Sequence, residues 1–284
     1  MPDAREIENR PMIGRAAHPS PPNSPLGRPN RPSEAARAIM ALILREMSTR
    51  YGRTPGGYVW ALLEPLGMIV VLSFAWSVLA NVPTLGTSFL LFKATGYLVL
   101  QMFVVNANQV GRAMQFSRAL LFYPQVTWLD ALLARFILNT LVAVITSTII
   151  LTGIMIYEDV RSVLDFGDIF LAMGLAALMG LSVGTLNCYL FQRIPVWAQI
   201  WAIATRPLFL ISGVIFIYED LPEGGQDVLW YNPVLHLAGI MRDGFYPLYH
   251  PDYISWVYIG LWIALPASAG LLLLRQYYRD LMNV

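Results

Sequence analysis

The sequence predicts an all-α integral membrane protein with six transmembrane helices. Six long apolar stretches run through the 284 residues, roughly Val59 to Ala80, Ala94 to Gln109, Phe136 to Ile156, Phe170 to Tyr189, Val196 to Ile217 and Ile254 to Leu274. A hydrocarbon core of about 30 Å needs about 20 helical residues, and each span must satisfy its own backbone hydrogen bonds where water is absent. Composition agrees: 56% of residues are hydrophobic and 13% charged, where a soluble domain carries about a quarter charged. The charges are also distributed unevenly along the chain. The segment before the first span carries nine arginines and five acidic residues. Arg112 and Arg118, Arg193, and Arg275 and Arg279 follow in every second connection and the tail, all on one side of the bilayer if the N-terminus is inside. The opposite connections hold Glu158, Asp159, Asp165, Asp168, Glu219, Asp220, Glu223, Asp227, Asp243 and Asp252 against Lys93, Arg161 and Arg242. Positive charge accumulates on cytoplasmic loops, so both termini are expected to be cytoplasmic.

The elements follow in chain order. Residues 1–32 contain eight prolines and no apolar core of signal-peptide length, and are expected to be a disordered cytoplasmic leader without cleavage. Residues 33–284 form the transmembrane domain. Its first helix begins near Ser33, where Ala36, Ile39, Met40, Ile43 and Met47 recur at helical spacing opposite Glu34, Arg37, Arg45 and Ser48. A short two-faced helix of this kind lies in the membrane interface. Glu46 and Arg50 stand four apart in the order that favours pairing. The helix serves either as a simple anchor or as a mechanical contact for a cytoplasmic partner. Tyr51-Gly52-Arg53-Thr54-Pro55-Gly56-Gly57 ends it and turns the chain into the bilayer.

The first span opens on Tyr58-Val59-Trp60, at headgroup depth, and carries Glu64-Pro65 one turn further in. An acid there needs a protein or water partner, for which Arg53 and Arg206 are candidates. Between spans two and three, a short helix is expected over roughly Arg112 to Phe122, stopped by Pro124. Its Met114, Phe116, Leu120, Leu121 and Phe122 are too apolar for a solvated connection, so they form a docking surface or lie against the bilayer. The fourth span holds Gly180 and Gly184 at a spacing that permits close helix approach, which fits packing within one chain better than a dimer seam. Cys188, the single cysteine, reads as a small buried hydrophobe. In the fifth span, Arg206-Pro207 lies deep enough that the arginine either snorkels or faces a hydrated interior. The connection from Tyr218 to Tyr253 contains two short helical pieces separated by a turn, each able to dip into the outer leaflet without crossing. Its aromatics serve as an interfacial belt or as flat faces for sugar rings. His236 has no ligand spacing with His18 or His250, so no metal site is expected.

Four ordered stretches carry a resemblance. Arg45-Glu46-Met47-Ser48-Thr49-Arg50-Tyr51-Gly52-Arg53, leading to Gly57-Tyr58-Val59-Trp60-Ala61-Leu62-Leu63-Glu64-Pro65, resembles the opening of permeases from type-2 ABC exporters of capsular polysaccharide. Tyr123-Pro124-Gln125-Val126-Thr127-Trp128-Leu129-Asp130, Arg206-Pro207-Leu208-Phe209-Leu210-Ile211-Ser212-Gly213-Val214 and Asn232-Pro233-Val234-Leu235-His236 match that family in order. The proline-rich leader departs from the pattern, as does Trp128, where proline would be expected.

The resemblance implies an interfacial N-terminal helix, a cytoplasmic coupling helix seated in an ATPase, and re-entrant helices between spans five and six. It also implies a homodimer of permeases over a cytoplasmic ABC ATPase dimer in the bacterial inner membrane. The cargo would be a lipid-linked polysaccharide, with a periplasmic adaptor and outer-membrane export proteins as further partners. Arg45, Arg50, Arg112, Phe116, Arg118 and Phe122 are expected at the ATPase coupling surface. Trp60, Glu64, Trp201, Arg206, Phe209, Trp230 and Tyr231 are expected along the cargo route, because membrane arginines are useful there and rings contact passing sugars without one fixed hydrogen-bond pattern. Lys93 is the only lysine and no phosphate-cradling glycine loop precedes it, so ATP and magnesium are expected in the partner and no cofactor on this chain. A membrane transferase would need acids, bases or a nucleophile converging on one face, whereas most acids here are scattered over the outer connections. A passive channel would not need a docking helix, and nucleic acid is not expected as a partner. Within exporters, an O-antigen or teichoic-acid permease is the main alternative, and a drug or lipid exporter a weaker one.

Overall fold

A computed structural model describes residues 32–50, 56–79, 82–121 and 126–283. Of the expected leader, residues 1–32, all but Pro32 lie outside these, as do Arg53 and Phe122 and the side chain of Arg50, and Pro32 is the first residue of a helix. The described residues form ten α-helices: α1 (Pro32–Arg50), α2 (Gly57–Leu79), α3 (Phe89–Gly111), α4 (Ala113–Ser117), α5 (Trp128–Tyr157), α6 (Phe166–Arg193), α7 (Trp197–Ile211), α8 (Glu223–Leu229), α9 (Pro233–Phe245) and α10 (Trp256–Asn283). Five of them, α2, α3, α5, α6 and α10, are long and apolar enough to cross a membrane. Phe74, Val78, Leu265 and Leu272 on α2 and α10 are exposed, as suits surfaces whose solvent is lipid.

The fifth expected span, Val196 to Ile217, is not one continuous helix. α7 has 15 residues, about 22 Å at 1.5 Å per residue, short of the hydrocarbon core. It stops at Ile211 because Gly213 adopts φ +73°, a left-handed turn that glycine permits. Breaking the helix frees carbonyls, and two cations meet them. Lys93 Nζ donates to the Ile215 carbonyl at 2.9 Å. Arg242 Nη1 donates to Phe216 O at 3.0 Å, its Nη2 donates to Gly213 O, and the guanidinium lies 4.1 Å from the Phe92 ring centroid. Both residues are 1% exposed. They are therefore not charges of the outer connections, as the sequence placed them, but donors that satisfy a buried helix break.

α3 and α6 are the centre of the bundle. A side-chain carbon on Gly180 would lie 2.6 Å from Asn106 Cβ and 2.8 Å from Phe103 O, and one on Gly184 would lie 2.8 Å from Val110 Cβ. The two glycines thus let α6 press on α3 within one chain. Asn106, buried in this seam, donates to Met102 O at 3.0 Å and accepts from Thr140 Oγ1 at 3.2 Å, tying α5 to the pair. Cys188 is buried, as expected. α8 and α9 are the two short pieces expected before the last span. α9 packs on α3 and α6, with every residue but Asp243 buried. Asn232 caps α9 by accepting from Val234 N at 3.1 Å, and its amide donates to Ile211 O at 2.9 Å, so the start of α9 also holds the end of α7.

α5 has 30 residues, about 45 Å, so its first two turns extend beyond a 30 Å core. A capping box starts it: Thr127 Oγ1 accepts from Asp130 N, and the Asp130 carboxylate accepts from Thr127 N at 2.9 Å. Trp128 occupies the first helical position, where proline is also well suited, and its ring is buried. The departure from the expected proline costs no cap. The extended end of α5 carries Arg135 and supports α1.

Candidate functional site

A cavity of about 680 Å³ opens where α1, α3, α4, α5 and α7 converge. α1 contributes Arg45, Glu46 and Thr49, α3 contributes Asn108 and Gln109, and Arg112 and Phe116 flank it from the α4 side. Arg135 and Thr205 come from α5 and α7. Three arginines against one glutamate give the lining an excess of positive charge, and the neutral groups around them offer both donors and acceptors.

Arg135 organises this end of the molecule. Its Nη2 donates to both Glu46 carboxylate oxygens at 2.7 and 2.8 Å. Its Nη1 reaches the Gln109 carbonyl at 3.3 Å and Gln109 Oε1 at 3.4 Å. The guanidinium lies 4.3 Å from the Phe116 ring centroid, a cation–π contact. With side-chain exposures of 5% and 18%, the Arg135–Glu46 pair is largely desolvated. Removing either member of such a pair costs about 3–5 kcal/mol because a charge is left buried and uncompensated. Glu46 therefore pairs across the bundle with Arg135; the side chain of Arg50, the partner the spacing predicted, lies outside the described residues.

The residues expected at the coupling surface are partly assembled here. Arg45, Arg112 and Phe116 line the cavity. Arg118 is exposed just beyond α4, whose helix is limited to Ala113–Ser117. Phe122 and the Arg50 side chain lie outside the described residues. Met114 and Leu121, read from sequence as part of an exposed apolar surface, are instead 2% and 8% exposed and belong to a core with Trp128, Leu132 and Leu274. Phe116 is the ring that remains outward, at 58% exposure.

The residues expected along the cargo route fall in three places. Trp60 and Glu64 are exposed on α2, and Glu64 borders a cleft of about 80 Å³ with Gln101, Asn139 and Thr146. Among the described residues, Glu64 and Arg206 are in none of the ion pairs, so the expected Glu64–Arg206 pairing is not formed. On α7, Trp201 Nε1 donates to Asn108 Oδ1 at 2.9 Å, and Phe209 meets Tyr97 edge-on at 6.1 Å. These two rings pin α7 to α3, while Arg206 is on the exposed side of α7. At the α8–α9 junction, Trp230 packs with Tyr258 at 5.0 Å and His236 at 5.3 Å, and its Nε1 donates to Tyr253 O at 3.1 Å. Tyr231 beside it is 68% exposed. Within one chain these three groups do not form one site.

His236 is the polar centre of that aromatic cluster. Its Nε2 lies 2.8 Å from the Trp230 carbonyl; a carbonyl only accepts, so Nε2 carries the proton. Nδ1 accepts from Ser255 N at 3.4 Å.

Sequence reasoning missed Arg135, Gln109 and Asn108. Arg135 immediately precedes the apolar run that was read as the third span, where a charge looks like a boundary marker. One charge just before an apolar run, five residues after a second at Asp130, was the available signal that α5 starts two turns earlier.

The ABC-2 type transporter family profile matches residues 37–246. The chain is similar to the polysialic acid transport protein KpsM of Escherichia coli, at 24% identity over 237 residues, 84% of this chain and 92% of that protein. It is similar to the capsule polysaccharide export inner-membrane protein BexB of Haemophilus influenzae, at 26% identity over 210 residues, 74% of this chain and 79% of that protein. CtrC of Neisseria meningitidis, also described as a capsule polysaccharide export inner-membrane protein, is 27% identical over 238 residues, 84% of this chain and 88% of that protein.

Proposed function

The chain belongs to the ABC-2 type transporter family, and from that premise we propose that it is the permease subunit of an ATP-driven exporter of capsular polysaccharide in a bacterial inner membrane. The observation that carries the proposal is the similarity, over 84% of the chain, to transport proteins for polysialic acid and capsule polysaccharide. The five long apolar helices suit a multi-pass membrane protein. α7 with the turn and bends after it makes the sixth crossing, and α8 and α9 enter the outer leaflet and return.

In this reading two copies of the permease pair, and two ATPase subunits sit beneath them on the cytoplasmic side, where both termini lie. Arg45, Arg112 and Arg118 form the surface facing the ATPase around α4, whose Phe116 ring lies against Arg135. The positive lining of the 680 Å³ cavity supports an anionic, lipid-linked polymer as cargo, since a charged mouth raises the local concentration of its counter-ion. Arg206 on the outward side of α7 meets that polymer deeper in the membrane, with Tyr231 near its exit. Weak, repeated contacts of this kind suit a chain that must move through.

Co-expression with an ABC ATPase tests the reading. The two proteins should co-purify, and Arg112→Ala with Arg118→Ala, which flank α4, should weaken the association while the permease remains in the membrane. Full association of that double variant would remove the assignment of α4 as the contact.

A further inference from the structure

We propose that Arg135 is a positioning residue, a joint through which a displacement of α4 reaches α1 and the wall of the cavity. The inference rests on the reading of α4 as the ATPase contact. One guanidinium makes contacts with three other elements: its Cζ lies over the Phe116 ring of α4, 4.3 Å from the centroid, its Nη2 holds the Glu46 carboxylate of α1, and its Nη1 reaches Gln109 of α3. Next to Gln109, Asn108 accepts from the Trp201 indole of α7 at 2.9 Å. α4 is five residues long and too short to carry a load along its own axis. Its route into the bundle is therefore lateral: Met114 packs in the core with Leu132 and Leu274, and the Phe116 ring is its contact with Arg135.

The chemistry suits a mechanical joint. A guanidinium is planar and permanently charged, so it can hold a carboxylate in its plane and a ring on its face at the same time. Because the pair is desolvated, separating Arg135 from Glu46 would leave two buried charges. When α4 shifts Arg135, the lower-energy course is for α1 to follow. α1 supplies Leu42, Arg45, Glu46 and Thr49 to the cavity, so its movement changes the width and charge of the mouth. Seating of the ATPase and access to the cavity are thereby joined by one side chain.

The experiment is a double-variant cycle on the assembled permease–ATPase complex in liposomes, reading polymer moved per ATP hydrolysed, at equal complex content. Phe116→Ala removes the input to the joint and Glu46→Gln weakens its output. Each should lower transport per ATP about tenfold with co-purification retained, and the two together should also lower it about tenfold, since both act through the same guanidinium. Arg135→Lys, which keeps the charge but loses the flat face, should match Phe116→Ala. The proposal is overturned if either single variant or Arg135→Lys transports like wild type, or if the combined loss is about a hundredfold, the product of independent effects. Loss of co-purification in Phe116→Ala would make that ring a docking contact and also overturn it. Failure of the wild-type complex to assemble or move polymer would count against the permease reading itself, a result separable from these.

Discussion

Replacing Gly180 with alanine tests how the bundle is built. The new methyl carbon would sit 2.6 Å from Asn106 Cβ and 2.8 Å from the Phe103 carbonyl oxygen, whereas carbon atoms rest about 3.5–4.0 Å apart. Neither obstacle is the end of a flexible side chain, so α3 and α6 must separate by about 1 Å, loosening the seam above and below the site. Overpacking of this kind costs about 1–3 kcal/mol. Gly184 meets the same helix one turn later, and one separation relieves both clashes, so Gly180→Ala/Gly184→Ala should cost less than the sum of the singles. Gly153→Ala is the control, because nothing lies within 4 Å of its added carbon. Thermal unfolding of the purified permease should show Gly180→Ala lowered by several degrees relative to Gly153→Ala, with the oligomeric state unchanged. Equal midpoints would refute the close approach, and a change of oligomeric state would move these glycines to a seam between copies.

Three further outcomes are expected. His236→Ala, which leaves the Trp230 carbonyl without its imidazole donor, should lower the unfolding midpoint of the purified permease by several degrees, and a midpoint equal to wild type would contradict this. In a Cys188→Ala background, Glu223→Cys should react with an impermeant thiol reagent from outside intact cells and Gln115→Cys only after permeabilisation; labelling of both from outside would reverse the topology. Arg206→Ala should lower export of an anionic polymer several-fold and Arg206→Lys less, with the complex still assembled, and normal export by Arg206→Ala would make this a snorkelling residue.

The bundle was legible in the sequence wherever one helix was long and apolar along its length. The first, second, third, fourth and last spans follow from uninterrupted apolar runs, and the Gly180–Gly184 spacing pointed to packing within the chain. The break after Ile211 was harder to read, because Val214, Ile215 and Ile217 continue the apolar run while the backbone turns at Gly213. What makes that turn stable is a pair of cations, Lys93 and Arg242, that are distant in sequence and look like loop charges until folding brings them to the freed carbonyls. The site failed to show itself for a related reason. Glu46 had a plausible partner four residues away, and Arg135 looked like a span boundary; only the three-dimensional packing of α1 on α5 brings the two together. Met114 and Leu121 read as a surface because hydropathy alone does not distinguish a docking face from a core contact.

Movement of polymer by the purified complex tests the central claim most directly. Permease and ATPase are reconstituted in liposomes with the ATPase side outward, lipid-linked anionic polysaccharide is added outside, and polymer protected from an external lyase is measured. The account predicts protection that requires permease, ATPase and ATP together. Protection without ATP, or none while the complex hydrolyses ATP and holds its cargo, would contradict it.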